Sequence, residues 1–443
     1  MRLQRAYDDI VQRKGTSISL SLDPPPERFP DPKSRLEFCR RAIEELSAYV
    51  VAVKLNENFV RGVPGDGLRE LNDLARSKEC ITVLDCKMND VEHTVSAGVR
   101  TVSELGFDGF TFNPVIGNSE HVVREASSKG LWTFALVIPS SPHAAATYLA
   151  TLSTGERFFE RLLDDAARAG SEGFVVGLGP FVDGPTLRRV RRRVGDDAVL
   201  LIPGLGAQGG ELKVAARYGG ERVLLNFGRS VLEAASPAER ARELRDEAER
   251  LRARYSVIEA LASCEGAVVE SEQPIRLSSG KLSHYYIDTR AIYSYPRARD
   301  RIVRLMVATV SRVVGRGGFK VATTATAGIP IAALVADRLG TGLVYYRSGS
   351  KDHGLGKRIE GVVSPGEEFI GVDDLTTTGR TAAECARALR DSGGRISHYF
   401  VVVDRQEGAS EALASERMSL HPLCTIDDEF WEVVRELRSQ RDG

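Results

Sequence analysis

The chain has 443 residues, 42% of them hydrophobic, with 42 glycines, enough for two or three ordinary globular domains. Its 60 basic and 61 acidic residues nearly cancel, so the charge balance points to neither nucleic acid nor an anionic membrane as a partner. No apolar run approaches the roughly 18 residues that span a bilayer, and the first residues lack the apolar core of a signal peptide. Six cysteines without CxxC spacing (Cys39, Cys80, Cys86, Cys264, Cys385, Cys424) argue against a zinc site or disulfide framework and fit a reducing cytoplasm.

Apolar, β-rich runs recur about every thirty residues in the first half: Ser17–Leu22, Tyr49–Val53, Ile81–Leu84, Gly109–Phe112, Trp132–Val137, Gly173–Val176, Ala198–Ile202 and Arg222–Leu225. Helical stretches such as Ser34–Leu46 and Phe158–Ala169 separate them. Eight evenly spaced β/α units predict a (β/α)8 TIM barrel over residues 1–237, with its site at the C-terminal ends of the strands.

The predicted strand ends carry chemistry. The first three close on Asp23, Lys54 and Asp85-Cys86-Lys87, with Asp90 just beyond. Alternation along a strand puts Asp85 and Lys87 on one face. The fifth runs into Ser140-Ser141-Pro142. The seventh is followed by Pro203-Gly204-Leu205-Gly206-Ala207-Gln208-Gly209-Gly210 and the eighth by Gly228-Arg229. Glycines let backbone N–H groups approach an anion, and barrels commonly hold a phosphate with these last two loops.

These pieces, with Leu22-Asp23-Pro24, Thr94 and Thr111-x-Asn113-Pro114, resemble the orotidine 5′-monophosphate decarboxylases over nearly all of residues 15–235. The D-x-K-x-x-D pattern is shared with metal-using sugar-phosphate barrels of the hexulose-phosphate type. The resemblance implies cofactor-free loss of CO₂ from the pyrimidine C6. Asp85 would lie beside the departing carboxylate and Lys87 would protonate C6. Lys54 and Asp90 would complete the charge array, with Asp90 reaching the site of a neighbouring subunit. It further implies that Ser140 and Gln208 read the base, that Gln208, Gly228 and Arg229 hold the phosphate, and that Asp23 and Thr94 hold the ribose.

Ser236-Pro237 followed by Ala238–Tyr255 reads as a helix with Ser as N-cap and Pro in its first turn. It is dense in Glu and Arg, and Leu244, Ala248, Leu251 and Tyr255 form a narrow apolar stripe. We read residues 238–256 as a charged helical connector.

Residues 257–443 start a new pattern. A polar, aromatic stretch around residues 275–290 predicts a hood-like β segment. Four strand candidates follow, Lys320–Thr324, Gly342–Tyr346, Glu368–Val372 and Ser397–Val403, separated by helical stretches Ile329–Leu339 and Thr381–Ser392. The spacing predicts a doubly wound parallel sheet with ligands at the strand ends. The third strand runs into Asp373-Asp374-Leu375-Thr376-Thr377-Thr378-Gly379-Arg380-Thr381 and then a helix. Such a turn cradles an anion with backbone N–H groups, threonine hydroxyls add donors, and the two acids suit ribose hydroxyls.

This stretch resembles the 5-phosphoribosyl pyrophosphate signature of the type I phosphoribosyltransferases. Leu277-Ser278-Ser279-Gly280 through Asp288, Arg347-x-x-x-Lys351-Asp352-His353-Gly354 and Asp404-Arg405-Gln406-Glu407 resemble orotate phosphoribosyltransferases. By that resemblance Lys351 and His353 close over the diphosphate, Lys281 and Arg347 contact it, and Arg405 contacts orotate. Asp373, Asp374, Thr376, Thr377, Thr378, Gly379 and Thr381 would hold the phosphoribosyl group, with Mg²⁺ accompanying the diphosphate. Leu282 and Ser348 stand where many members carry lysine.

Together the resemblances imply consecutive reactions that make uridine monophosphate, carried out by a homodimer or larger homo-oligomer. The alternative is an active decarboxylase whose second half binds phosphoribosyl pyrophosphate without catalysing.

Overall fold

The computed structural model describes residues 2–206, 211–276, 282–348 and 358–439. The chain forms two compact units, one ending at Arg252 and the other beginning at Ala253.

The first unit is a closed barrel of eight parallel strands in sequence order. They are β1 (Ile18–Leu22), β2 (Ala52–Asn56), β3 (Ile81–Met88), β4 (Gly109–Phe112), β5 (Trp132–Ile138), β6 (Gly173–Val176), β7 (Val199–Ile202) and β8 (Val223–Phe227). Pairing of Ile18 with Leu225 and Leu20 with Phe227 joins β8 to β1 and closes the ring. Alternation then sorts the side chains. Leu20, Val53, Leu84, Ala135 and Leu200 face outward and share one core with the surrounding helices. Val83, Phe134, Leu136, Val175, Leu201 and Leu224 face inward and pack with Leu3 and Tyr7 of the helix Leu3–Lys14. The Tyr7 hydroxyl donates to the Val223 carbonyl at 2.8 Å. The Lys14 ammonium donates to the carbonyls of Ser47 and Val50 at 2.9 and 3.0 Å. Apolar residues thus fill the lower barrel, and the polar inward positions are left to its upper end.

Two strands differ most from the sequence reading. β2 begins at Ala52 because Ser47–Tyr49 forms a 3-10 turn, so Lys54 lies inside the strand and Asn56 closes it. β3 does not stop with its apolar run but continues to Met88, because Met88 pairs with Phe112 of β4 across a register shift.

The expected connector is part of one helix, Pro237–Ser263, and the division between the units falls inside it. The helix continues past Tyr255, where the sequence pattern ends, to Ser263. Leu244 and Ala248 are buried. Glu249 accepts from the backbone N–H and hydroxyl of Ser17 at 2.8 and 2.6 Å, which ties this helix to the start of β1. This tie holds the helix against the barrel.

The second unit holds a six-stranded sheet and a separate hairpin. The hairpin pairs β9 (Val268–Arg276) with β10 (Leu282–Ile287) antiparallel. The sheet contains β11 (Lys320–Thr324), β12 (Leu343–Tyr346), β13 (Ile359–Glu360), β14 (Glu368–Thr376), β15 (Arg395–Asp404) and β16 (Ser419–Thr425). Their order is β13-β12-β11-β14-β15-β16, and within it the two-residue β13 runs antiparallel to its neighbour while the other pairs are parallel. The four expected strands are the central four. The edge strand β16 escapes a search for apolar runs because it carries His421 and Pro422, and proline is tolerated at an edge.

His398 of β15 and His421 of β16 lie side by side, Nδ1 to Nε2 at 3.0 Å. Phe400 stacks on His421 at 4.7 Å. Burial, His398 and Arg312 push the His421 imidazole down to about 4, and burial also lowers His398. In the unfolded chain both titrate near the ordinary value of about 6.5. The unfolded state thus binds more protons between these limits, and stability falls as pH drops from about 6.5 toward 4. After discounting for partial exposure, the loss is about 2 kcal/mol. Urea titrations of the full chain at pH 7.5 and 5.0 check this. A His421→Gln chain is expected to lose distinctly less stability over the same interval than the wild type.

Candidate functional site

The upper end of the barrel encloses a cavity of about 330 Å³. Its lining brings together Asp23, Lys54, Asp85, Lys87, Ser140, Gly228 and Arg229, all expected from the sequence, and adds Ser21, Asn56, Thr111 and Asn226. They lie in the C-terminal halves of the strands or in the loops that follow.

The cavity is built on one carboxylate. Asp85 accepts from the Lys54 ammonium at 2.6 Å through Oδ2 and from the Lys87 ammonium at 2.7 Å through Oδ1. Thr111 Oγ1 donates to the same Oδ1 at 2.9 Å. Lys54 and Asp85 are buried, at 5% and 8% exposure, whereas the Lys87 side chain is 45% exposed. Burial alone would raise the Asp85 carboxyl, but the ammonium groups of Lys54 and Lys87 outweigh it and hold it well below the usual carboxylate range. Asp85 is thus ionised, and the more exposed ammonium is the one placed to meet a ligand.

Asp23 behaves oppositely. Burial pushes its carboxyl up, Lys54 opposes this and Asp85 adds to it. Its Oδ1 is buried without a hydrogen-bond partner. An orphaned buried acceptor facing a cavity suits a hydroxyl donor from a ligand. Asn226 of β8 donates to Ser21 Oγ at 2.9 Å. The sequence reading does not include these inward polar positions, although strand alternation from Lys54 and Asp85 could pick them out.

Asp90 and Thr94 do not line this cavity. Both are exposed, at and just after the turn into the helix Glu92–Glu104. Asp90 accepts from the Val91 N–H at 2.7 Å through its side chain and from Asn118 Nδ2 at 2.9 Å through its carbonyl, and Val91, Val115 and Ile116 are exposed. Gln208 lies outside the described residues, while Gly204 lines the cavity along with Arg229.

In the second unit β14 runs through Asp373 and Asp374 to Thr376, so the two acids lie within the strand rather than after it. Both are buried. Asp373 Oδ2 accepts from Thr324 Oγ1 at 2.6 Å and from the Tyr399 hydroxyl at 2.8 Å. Asp374 Oδ2 accepts from Thr289 Oγ1 at 2.6 Å. Burial and the neighbouring Asp374 raise Asp373 well above the carboxylate range. The Tyr293 hydroxyl is raised too, by burial and by both acids.

Thr376 is buried, Thr377 half-buried, and Thr378 and Thr381 exposed. Gly379 has φ +70°, and a Cβ there would come 3.0 Å from Ala409 Cα. The left-handed backbone calls for glycine before the helix Arg380–Asp391, and the tight space favours it as well. Arg347 pairs with Glu360 at 3.3 Å and Arg405 with Glu407 at 3.2 Å. Lys281, Lys351 and His353 lie outside the described residues. Among the described residues no three His, Cys, Asp or Glu side chains cluster to hold a metal ion, and no helix is long and apolar enough to cross a membrane.

Residues 16–244 match the orotidine 5′-phosphate decarboxylase / HUMPS family. The chain is 37% identical over 201 residues to an orotate phosphoribosyltransferase of Cereibacter sphaeroides, covering 44% of this chain and 82% of that protein. It is 39% identical over 154 residues to one of Pyrococcus abyssi, covering 35% of this chain and 84% of that protein. A solved structure of Leishmania donovani UMP synthase is similar at 26% identity with a TM-score of 0.51, covering 99% of this chain and 100% of that one.

Proposed function

This chain belongs to the orotidine 5′-phosphate decarboxylase / HUMPS family, and from that membership together with the likeness to orotate phosphoribosyltransferases we infer a bifunctional enzyme that makes uridine monophosphate. Its second unit transfers phosphoribose from phosphoribosyl pyrophosphate to orotate, giving orotidine monophosphate and diphosphate. Its barrel then decarboxylates that product. The decarboxylase precedes the transferase along the chain. The observation that carries the reading is the Lys54–Asp85–Lys87 array at the mouth of a closed barrel.

Loss of CO₂ from C6 leaves negative charge on a carbon with no cofactor to absorb it. Fixed charges must therefore favour the transition state. Asp85, already ionised, sits against the substrate carboxylate and disfavours the ground state. Lys87 stabilises the developing carbanion and gives its proton to C6. Lys54 keeps Asp85 charged and oriented. Asp23 accepts from a ribose hydroxyl, and Ser140 reads the base together with Gln208. Gly228 and Arg229 hold the phosphate. Asp90 and Thr94, outside the cavity of their own chain, serve the site of a second copy in a homodimer.

In the transferase, Asp373 and Asp374 face the ribose, and the turn from Thr376 to Thr381 holds its 5-phosphate. Arg405 meets orotate, and Arg347, Lys281, Lys351 and His353 meet the diphosphate. A Mg²⁺ ion fits here as a companion of the substrate. Mg²⁺ is usually held by one or two carboxylates plus substrate phosphates rather than by an all-protein cage, and Asp374 of β14 would offer one such carboxylate. When bound, it would neutralise charge on the leaving diphosphate. Chelation with EDTA is expected to stop the formation of orotidine monophosphate from orotate and to leave decarboxylation of added orotidine monophosphate unchanged. A decarboxylase that also needs the metal would favour sugar-phosphate chemistry of the hexulose-phosphate type.

A further inference from the structure

β3 holds two functional groups in an irregular piece of backbone. From Leu84 to Met88 it advances four residues, while its partner β4 advances two, from Phe110 to Phe112. Two extra residues are therefore accommodated in β3, and such bulges re-aim side chains. Lys87 takes the strain with φ +46°, a left-handed conformation that a side chain other than glycine rarely adopts. Across the bend the Lys87 ammonium donates to Asp85 Oδ1 at 2.7 Å.

Thr111 of β4 stands against this bend and is 2% exposed. Its hydroxyl oxygen accepts the Lys87 backbone N–H at 2.9 Å and its proton goes to Asp85 Oδ1 at 2.9 Å. A hydroxyl has one donor and can accept as well, so both contacts form at once. One buried oxygen thus fixes the backbone of the ammonium-bearing residue and the rotamer of the carboxylate. We propose that Thr111 is a positioning residue for decarboxylation: it holds Lys87 in its strained conformation and Asp85 in register, so that the ammonium stays aimed into the cavity. This rests on the decarboxylase reading of the barrel.

The test compares Thr111→Val, which keeps the shape and removes the hydroxyl, with Thr111→Ser, which keeps the hydroxyl. Full-length chains are given orotidine monophosphate directly, and kcat and KM are measured across pH. A misaligned reacting group costs about 10²-fold, so Thr111→Val is expected to lower kcat by roughly 30- to 300-fold at about constant KM. Thr111→Ser is expected to stay within about fivefold of the wild type. An unchanged KM for orotidine monophosphate and an unchanged circular dichroism melt of the same samples report that the barrel is folded, and Thr111→Ala replaces the valine variant if it is not. A hydroxyl-free variant with wild-type kcat overturns the inference and leaves the decarboxylase reading standing. A serine variant as impaired as the valine one also overturns it, because the role is then packing. A wild-type chain without decarboxylase activity removes the reading, and this inference with it.

Discussion

Replacing Lys87 by methionine is expected to stop decarboxylation while phosphoribosyl transfer continues, so that orotidine monophosphate accumulates from orotate. Methionine keeps an unbranched side chain in the space of the lysine stem but removes the ammonium. Three things are lost together. The proton for C6 disappears, and general acid catalysis is worth about 10²- to 10⁴-fold. Stabilisation of the developing carbanion disappears, a contribution of about 10²- to 10³-fold for a single donor. Asp85 also keeps only one of its two ammonium partners. These effects act on one transition state and do not multiply in full, so the expected fall in kcat is about 10⁴-fold or more. Measuring CO₂ release from orotidine monophosphate checks it. A Lys87→Met chain retaining a tenth of the wild-type rate would assign the proton transfer to another group.

The second large effect is expected at Asp374. Breaking the bond from the ribose anomeric carbon to diphosphate develops positive charge on the sugar, and a carboxylate held nearby stabilises it. Asp374→Asn removes the charge but keeps an oxygen that can accept from Thr289 Oγ1, the 2.6 Å contact of the parent residue. Transferase activity is expected to fall by about 10²-fold or more, with decarboxylation of added orotidine monophosphate unchanged. Release of diphosphate in the presence of orotate measures it. A variant within threefold of the wild type would show that this acid supports the fold of β14 and not the reaction.

What can be read from the sequence follows from how locally each feature is determined. The eight barrel strands announce themselves because each carries an apolar run wherever it meets a helix layer. Lys54, Asp85 and Lys87 are legible because a charged residue at such a run's end must face a mouth or a solvent edge. The bend at Lys87 is not legible. It depends on Met88 pairing with Phe112 and on the Thr111 hydroxyl, both set by the next strand of the barrel. The same holds for β14, which extends through two acids because Asp373 and Thr376 pair with Val401 and Asp404 of β15. A run of Asp and Thr does not look like a strand until its neighbour is in place. β16 is hidden because its edge position lets it keep polar residues and a proline. The helix Pro237–Ser263 reads as ending at Tyr255, because the pattern changes there while the backbone does not.

The most direct test supplies the full-length chain with orotate, phosphoribosyl pyrophosphate and Mg²⁺ and follows both nucleotides over time. Uridine monophosphate is expected to rise steadily, with orotidine monophosphate passing through as an intermediate. Orotidine monophosphate that accumulates without conversion would contradict the assignment of Lys54, Asp85 and Lys87. Absence of both nucleotides from a chain that still decarboxylates added orotidine monophosphate would contradict the transferase assignment and leave the second unit as a binding domain.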